Sequence, residues 1–219
     1  MILHMAWFEQ IRALDWGQAG LIALGAYVLG CFTTGYYLVR ALKGLDIRTV
    51  ESGSVGARNV GRVLGTSGFI LTTLGDAAKG VLAVWGAKHV DPHPEIAALA
   101  LLAVVAGHIW PAQLRYHGGK GVATSLGALA FYDWRLLLVY CALFACGFAA
   151  VRKSTLPGLF AFSCLPFAVF GFAHDWTKAS ALGLLSLMIL FAHRANLAQE
   201  IPALAARRRV STKTDNTEL

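Results

Sequence analysis

The stretch IAALALLAVVAGHIWPAQL at residues 96–114 contains no Asp, Glu, Lys or Arg, and His108 is its one titratable side chain. At about 1.5 Å rise per helical residue, a run of this length approaches the ~30 Å hydrocarbon thickness of a bilayer. Further runs flank it. Gln18 to Val39, Leu136 to Val151, Ser154 to Ala173 and the shorter Ala179 to Ala192 are all free of charge. The chain is 57% hydrophobic and 14% charged, whereas a soluble domain carries about 25% charged residues distributed along its elements. Several apolar blocks in succession predict an all-α, polytopic membrane bundle.

The charges gather between the blocks. Arg40, Lys43, Arg48, Arg58 and Arg62 fall in or beside one loop, Arg115 and Lys120 in a second, Arg152 and Lys153 in a third. Arg207, Arg208, Arg209 and Lys213 follow the last block. The alternate loops are balanced: Lys88 with Asp91 and Glu95, Asp133 with Arg135, Asp175 with Lys178. The net charge of +7 is therefore a topological signal and not a nucleic-acid surface, because cytoplasmic loops concentrate Lys and Arg. Seven helices satisfy this alternation, with the N-terminus outside and the C-terminus in the cytoplasm. Their expected limits are 18–41, 66–88, 95–115, 121–132, 134–151, 155–174 and 178–198. The fourth is short, either a half-helix or a crossing in a thinned bilayer, and the charge alternation favours crossing.

Glu9, Arg12, Asp15, Trp7 and Trp16 give the first segment an interfacial character that differs from a cleavable leader. The polar tail 211–219 is expected to be disordered. Cys31, Cys141, Cys146 and Cys164 lie within apolar blocks, spaced neither for metal nor for a disulfide framework.

Four polar constellations fall on the basic side. In HGGKGVAT, residues 117–124, glycines let backbone N–H groups approach an anion, Lys120 adds a charge and Thr124 a hydroxyl at a helix start. The spacing is not that of a Walker loop. The loop Asp46–Gly65 offers Arg48, Ser52, Gly53, Asn59 and Arg62; guanidinium forks match phosphate oxygens. Asp76 and Lys79, three apart within an apolar helix, either neutralise one another or give Lys79 to a substrate. His193, Asn196 and Glu200 share a helical face at the end of the last block, while His108 is expected to support structure.

Together these segments resemble the bacterial acyl-phosphate-dependent glycerol-3-phosphate acyltransferase family. The resemblance rests on Gly107-His108-x-x-Pro111 followed by Gly118-Gly119-Lys120-Gly121-Val122-Ala123-Thr124, on Asp76-x-x-Lys79-Gly80 and on His193-Arg194-x-Asn196. Asp46-Ile47-Arg48 leading to Ser52-Gly53, Gly56-Ala57, Asn59 and Arg62 extends it. It covers roughly residues 20 to 200. It implies one membrane domain over 1–210, in the bacterial inner membrane, with the site facing the cytoplasm and a monomer as the working unit.

The implied reaction moves a fatty acyl group from acyl phosphate to the 1-hydroxyl of sn-glycerol 3-phosphate, giving lysophosphatidic acid and phosphate, without cofactor or metal. His193, Asn196 and Lys120 would be catalytic. Arg48, Ser52, Gly53, Asn59, Arg62, Lys79, Gly118, Gly119, Gly121 and Thr124 would bind substrate, and membrane lipid would surround the chain. The general base is either His193 or the substrate's own phosphate.

Three departures from the family pattern stand out. Glu51, Ser54 and Arg58 replace a glycine, an asparagine and a threonine in the first loop, with Arg58 expected to offset Glu51. Gly30-Cys31-Phe32-Thr33 stands where Gly-Ser-Ile-Pro is usual. Ala195 and Gln199 replace acidic and basic residues. Two other functions would also use such features: a transporter of small organic anions, and a non-catalytic binder of lipid intermediates.

Overall fold

The computed structural model describes residues 14–202, and all regular structure among them is helical. The expectations for residues 1–13, including the interfacial character given by Trp7, Glu9 and Arg12, and for residues 203–219, including the basic group at 207–213 and the disordered tail, lie outside the described residues. Helix α1 spans Trp16–Cys31, α2 Thr34–Lys43, α3 Ala57–Val90, α4 Pro94–Ile109 and α5 Val122–Tyr132. Then come α6 Trp134–Val151, α7 Thr155–Phe172, α8 Trp176–Ala192 and α9 Arg194–Pro202. Five helices, with α1 and α2 counted together, are long and apolar enough to cross a membrane; the bent α8–α9 pair makes a sixth. Helix α5 is apolar but shorter.

Small residues set the tightest packing. A Cβ at Gly30 would strike the Val104 carbonyl, and one at Gly107 would strike the Tyr27 carbonyl, so α1 and α4 approach backbone to backbone. Gly80 lies likewise against the Thr124 carbonyl and Gly127 against that of Ala77, joining α3 to α5. Close approach through small residues suits a bilayer, where apolar burial against lipid tails provides little drive. Leu101, Val104, Leu129, Phe162, Leu182 and Ile189 fill the main core. A smaller cluster of Val39, Ile47, Val55, Val60 and Leu114 seats the first basic loop.

Three expected helix limits are corrected. First, the expected helix 18–41 is two helices, broken at Phe32–Thr33. A break in apolar surroundings needs partners for its freed backbone groups, and α3 supplies them. Lys79 Nζ donates to the carbonyls of Gly30 (3.1 Å) and Phe32 (2.9 Å), while Asp76 Oδ1 accepts from the Thr34 N–H (3.4 Å).

Second, α3 begins at Ala57 and not near 66. Its first turns precede a non-helical Gly65 (φ 74°, ψ −166°), where glycine's freedom is required. Third, the last helix does not run through to 198; it bends by 70° at His193. Arg194, Asn196, Gln199 and Glu200 follow within two turns, and the bend keeps them from continuing the span.

On the face opposite the basic loops, Lys88 caps α5 by donating to the Phe131 (2.7 Å) and Tyr132 (3.0 Å) carbonyls. Asp133 pairs there with Arg135 and Lys178, both at 2.8 Å, which hold its carboxyl well below the ordinary range.

Candidate active site on the basic face

The HGGKG turn is built on the end of α4. The Gly118 N–H donates to the Ile109 carbonyl (3.2 Å) and the Gly119 N–H to that of His108 (3.0 Å). Gly119 lies so close to the His108 imidazole that a Cβ there would collide with the ring. Gly121 closes the turn at φ 81°, with Ile189, Ile109 and Val105 crowding the place a Cβ would take. These contacts correct the expectation that Gly118 and Gly119 present N–H groups to an anion, since α4 has already taken both. The anion donors that helix geometry leaves are the first N–H groups of α5. Thr124 is fully buried beside Gly80, and its hydroxyl has no hydrogen-bond partner in the structure.

The folded-back turn delivers Lys120 to the start of α9, where its ammonium donates to Asn196 Oδ1. Burial and then the Arg58 charge hold Lys120 below its usual pKa, Arg62 adds to the effect, and Glu200 opposes it. His193 sits in the bend, buried, with Nδ1 2.8 Å from the Ile189 carbonyl. A carbonyl only accepts, so Nδ1 carries the proton and the Nε2 lone pair is left available. Lys120, His193 and Asn196, expected from the sequence as the catalytic group, are thus brought together.

The first basic loop reaches the same region from α3. Arg48 is held by Asp46, with Nη2 to Oδ2 at 2.6 Å and Nε to Oδ1 at 2.9 Å, and its Nη1 donates to the Leu114 carbonyl at 2.9 Å. The pair lowers the Asp46 carboxyl and ties the loop to the turn that leads into HGGKG. Asn59 is buried and fully used: Nδ2 donates to Val50 (3.0 Å) and Ile47 (3.4 Å), and Oδ1 accepts from the Ser52 N–H (3.2 Å). It shapes the segment carrying Ser52 and Gly53, and with both of its N–H groups on backbone carbonyls it has no donor left for a phosphate. Gly53, at φ 68°, requires glycine.

Lys79 is corrected for the same reason. Its ammonium meets Asp76 (3.0 Å), His108 Nδ1 (2.7 Å) and the two α1-end carbonyls, so no donor remains for substrate. The neutralising reading of Asp76 and Lys79 holds, with His108 and the helix break added to it.

Arg58 does not answer Glu51. Its guanidinium donates to Ser154 Oγ and to Thr155 Oγ1 (3.3 Å) at the start of α7, and no ion pair joins it to Glu51 among the described residues. Sequence reasoning left Ser154 and Thr155 out of the site. Their signal was a hydroxyl pair directly after Arg152-Lys153 and before an apolar block, the pattern of a helix start. The starts of α3, α5 and α7, each the positive end of a helix dipole, therefore converge on the bend that holds His193.

A helical bundle with one face of cations, helix starts and a buried histidine, beside apolar helices long enough to span a membrane, suits a membrane-integral protein that handles anionic groups. The family model described as glycerol-3-phosphate acyltransferase matches residues 20–202. Glycerol-3-phosphate acyltransferase 1 of Desulfitobacterium hafniense (strain Y51) is 42% identical over 196 residues, covering 88% of this chain and 97% of the relative. The glycerol-3-phosphate acyltransferase of Clostridioides difficile (strain 630) is 38% identical over 182 residues, covering 81% and 89%. The crystal structure of PlsY (YgiH), an integral membrane glycerol 3-phosphate acyltransferase, in its glycerol 3-phosphate form, superposes with a TM-score of 0.78. It is 28% identical, with coverage of 85% of this chain and 93% of that one. The chain belongs to the glycerol-3-phosphate acyltransferase family, and it is an enzyme of acyl transfer to glycerol 3-phosphate.

Proposed function

We propose that the acyl donor is an acyl phosphate and that Lys120, His193 and Asn196 form the reacting centre. The observation that carries this reading is the junction of the Lys120 turn with the start of α9 at Asn196, beside a histidine whose tautomer leaves Nε2 free. The substrate 1-hydroxyl oxygen attacks the acyl carbonyl carbon, the carbon–oxygen bond to phosphate breaks, and inorganic phosphate leaves. The hydroxyl proton passes to His193 Nε2 or to a phosphate oxygen of glycerol 3-phosphate. Lys120 and the first N–H groups of α5 neutralise phosphate charge, with Arg62, Ser52, Gly53, Gly121, Thr124 and Arg48 completing or supporting the walls. Because an acyl phosphate is already activated, positioning and charge neutralisation carry the catalysis.

The same reading gives seven crossings. The joined α1–α2, then α3, α4, α5, α6, α7 and the bent α8 place the loops 44–56, 115–121 and 152–154 together with α9 on one side. By the positive-inside rule that side is the cytoplasm, where water-soluble glycerol 3-phosphate arrives. The membrane is the bacterial inner membrane, and one chain contains every residue of the site.

The test is purified protein in detergent, palmitoyl phosphate and radiolabelled glycerol 3-phosphate, scored for lysophosphatidic acid and released phosphate. Product is expected with acyl phosphate and not with acyl-CoA. Equal product from a Lys120→Ala control overturns the assignment of the centre.

A further inference from the structure

Arg58 belongs to the front piece of α3 ahead of the Gly65 kink, and Arg62 lies one turn further on the same helical face. Both side chains are exposed. Arg58 reaches across to α7, where Ser154 Oγ and Thr155 Oγ1 accept from its two terminal nitrogens. Ser154 occupies the N-cap position of α7, yet its hydroxyl makes no capping bond to that helix. A serine there ordinarily accepts from the N–H of the second or third helical residue. The third is Pro157, which has no N–H, and the oxygen serves Arg58. Only two of the five guanidinium N–H groups are engaged, so a fork suited to phosphate oxygens remains.

Charge points the same way. Lys120 feels Arg58, Arg62 and Glu200. Arg58 and Arg62 both add positive charge beside Lys120, and Glu200 offsets part of it, so Arg58 strengthens the attraction for an anion there. The two hydroxyls fix the guanidinium before substrate arrives, which lowers the ordering cost of binding.

We propose that Arg58 is a positioning residue for the phosphate of glycerol 3-phosphate, held in place by Ser154 and Thr155 and supplying charge that Lys120 and Arg62 alone do not. The proposal rests on the acyltransferase reading of the Lys120–His193–Asn196 centre.

Arg58→Ala is expected to raise KM for glycerol 3-phosphate by about 10- to 100-fold, an effect in the range of a lost charge-assisted phosphate contact. KM for palmitoyl phosphate should stay within about twofold and the thermal midpoint nearly fixed. The inhibition constant of inorganic phosphate against glycerol 3-phosphate should rise in parallel. Arg58→Lys should recover part of the loss, as a charge without the fork. The double variant Ser154→Ala/Thr155→Val frees the guanidinium but keeps its charge, and should raise that KM less than Arg58→Ala does.

A fall in thermal midpoint with both KM values unchanged makes Arg58 a strut and overturns the proposal, as does an equal KM rise in the double variant. Wild-type protein that turns over while Arg58→Ala keeps its glycerol 3-phosphate KM overturns this proposal alone. Wild-type protein without turnover overturns the parent reading and this one with it.

Discussion

Replacing Lys79 with Met keeps the length of the side chain and removes its ammonium, which isolates the buried polar junction beneath the break in the first span. Lys79 and Asp76 are 4% and 3% exposed in their side chains. Without the ammonium, Asp76 is a buried carboxylate left with the Thr34 N–H and the His108 ring 3.7 Å away, and the Gly30 and Phe32 carbonyls lose their donor. Breaking a buried pair from one side costs about 3–5 kcal/mol. At roughly 2–4 °C per kcal/mol for a chain of this size, the thermal midpoint should fall by about 6–20 °C. The assay is thermal unfolding of detergent-solubilised protein followed by tryptophan fluorescence, paired with initial rates at low temperature, where the variant is still folded. KM for glycerol 3-phosphate should change less than about twofold, because no Lys79 donor faces the substrate. Asp76→Asn/Lys79→Met should regain at least half of the lost midpoint, since an uncharged pair leaves no orphan charge. A midpoint lowered by less than about 2 °C together with a tenfold higher KM would refute the structural assignment of Lys79.

Gly119→Ala should destabilise by about 1–3 kcal/mol, since the new methyl meets a His108 ring that Lys79 holds in place; a thermal melt within 1 °C of wild type would contradict this. The alkaline limb of kcat/KM should reflect Lys120, which acts as the ammonium and is lost as pH rises through a folded pKa lying below 10.5. Glu200 supports that charged form, so Glu200→Gln should move the limb to lower pH; an unmoved limb, or one moved upward, counts against the arrangement. His193→Gln, which keeps a polar side chain in the bend, should lower kcat by roughly 100-fold if Nε2 takes the proton. Retained kcat assigns that proton to the substrate phosphate.

Much of this architecture was readable from residue order because a bilayer enforces simple rules. Uncharged runs became the long apolar helices, and the basic loops meet through Arg48 at Leu114 and Arg58 at Ser154. His193 and Asn196 kept their i, i+3 relation because α9 continues from the His193 carbonyl, so the bend does not disrupt it. The interruption at Phe32–Thr33 was hidden, since hydropathy registers apolar continuity and not hydrogen bonds, and the compensating charges lie more than forty residues away on α3. Asn59, Gly118 and Gly119 were read as ligand contacts because polar and small residues in a basic loop suit an anion equally well whether they touch it or shape its cradle. Only the partners of each N–H separate those roles. Arg58 was assigned to its sequence neighbour Glu51, but the helical start at Ala57 turns it towards α7.

The shortness of α5 bears on where the two substrates meet. Its 11 residues extend only about 16 Å, and its far end is anchored by Lys88 and the Asp133 pairs. On the seven-crossing reading proposed above, a helix this short would leave the Lys120 turn recessed within the ~30 Å apolar slab. Lifting a long acyl chain into water costs about 0.8 kcal/mol per methylene, a penalty that would grow with every carbon of the donor. A recessed reaction centre avoids that extraction: the fatty tail stays among the lipids, and the small hydrophilic partner makes the descent.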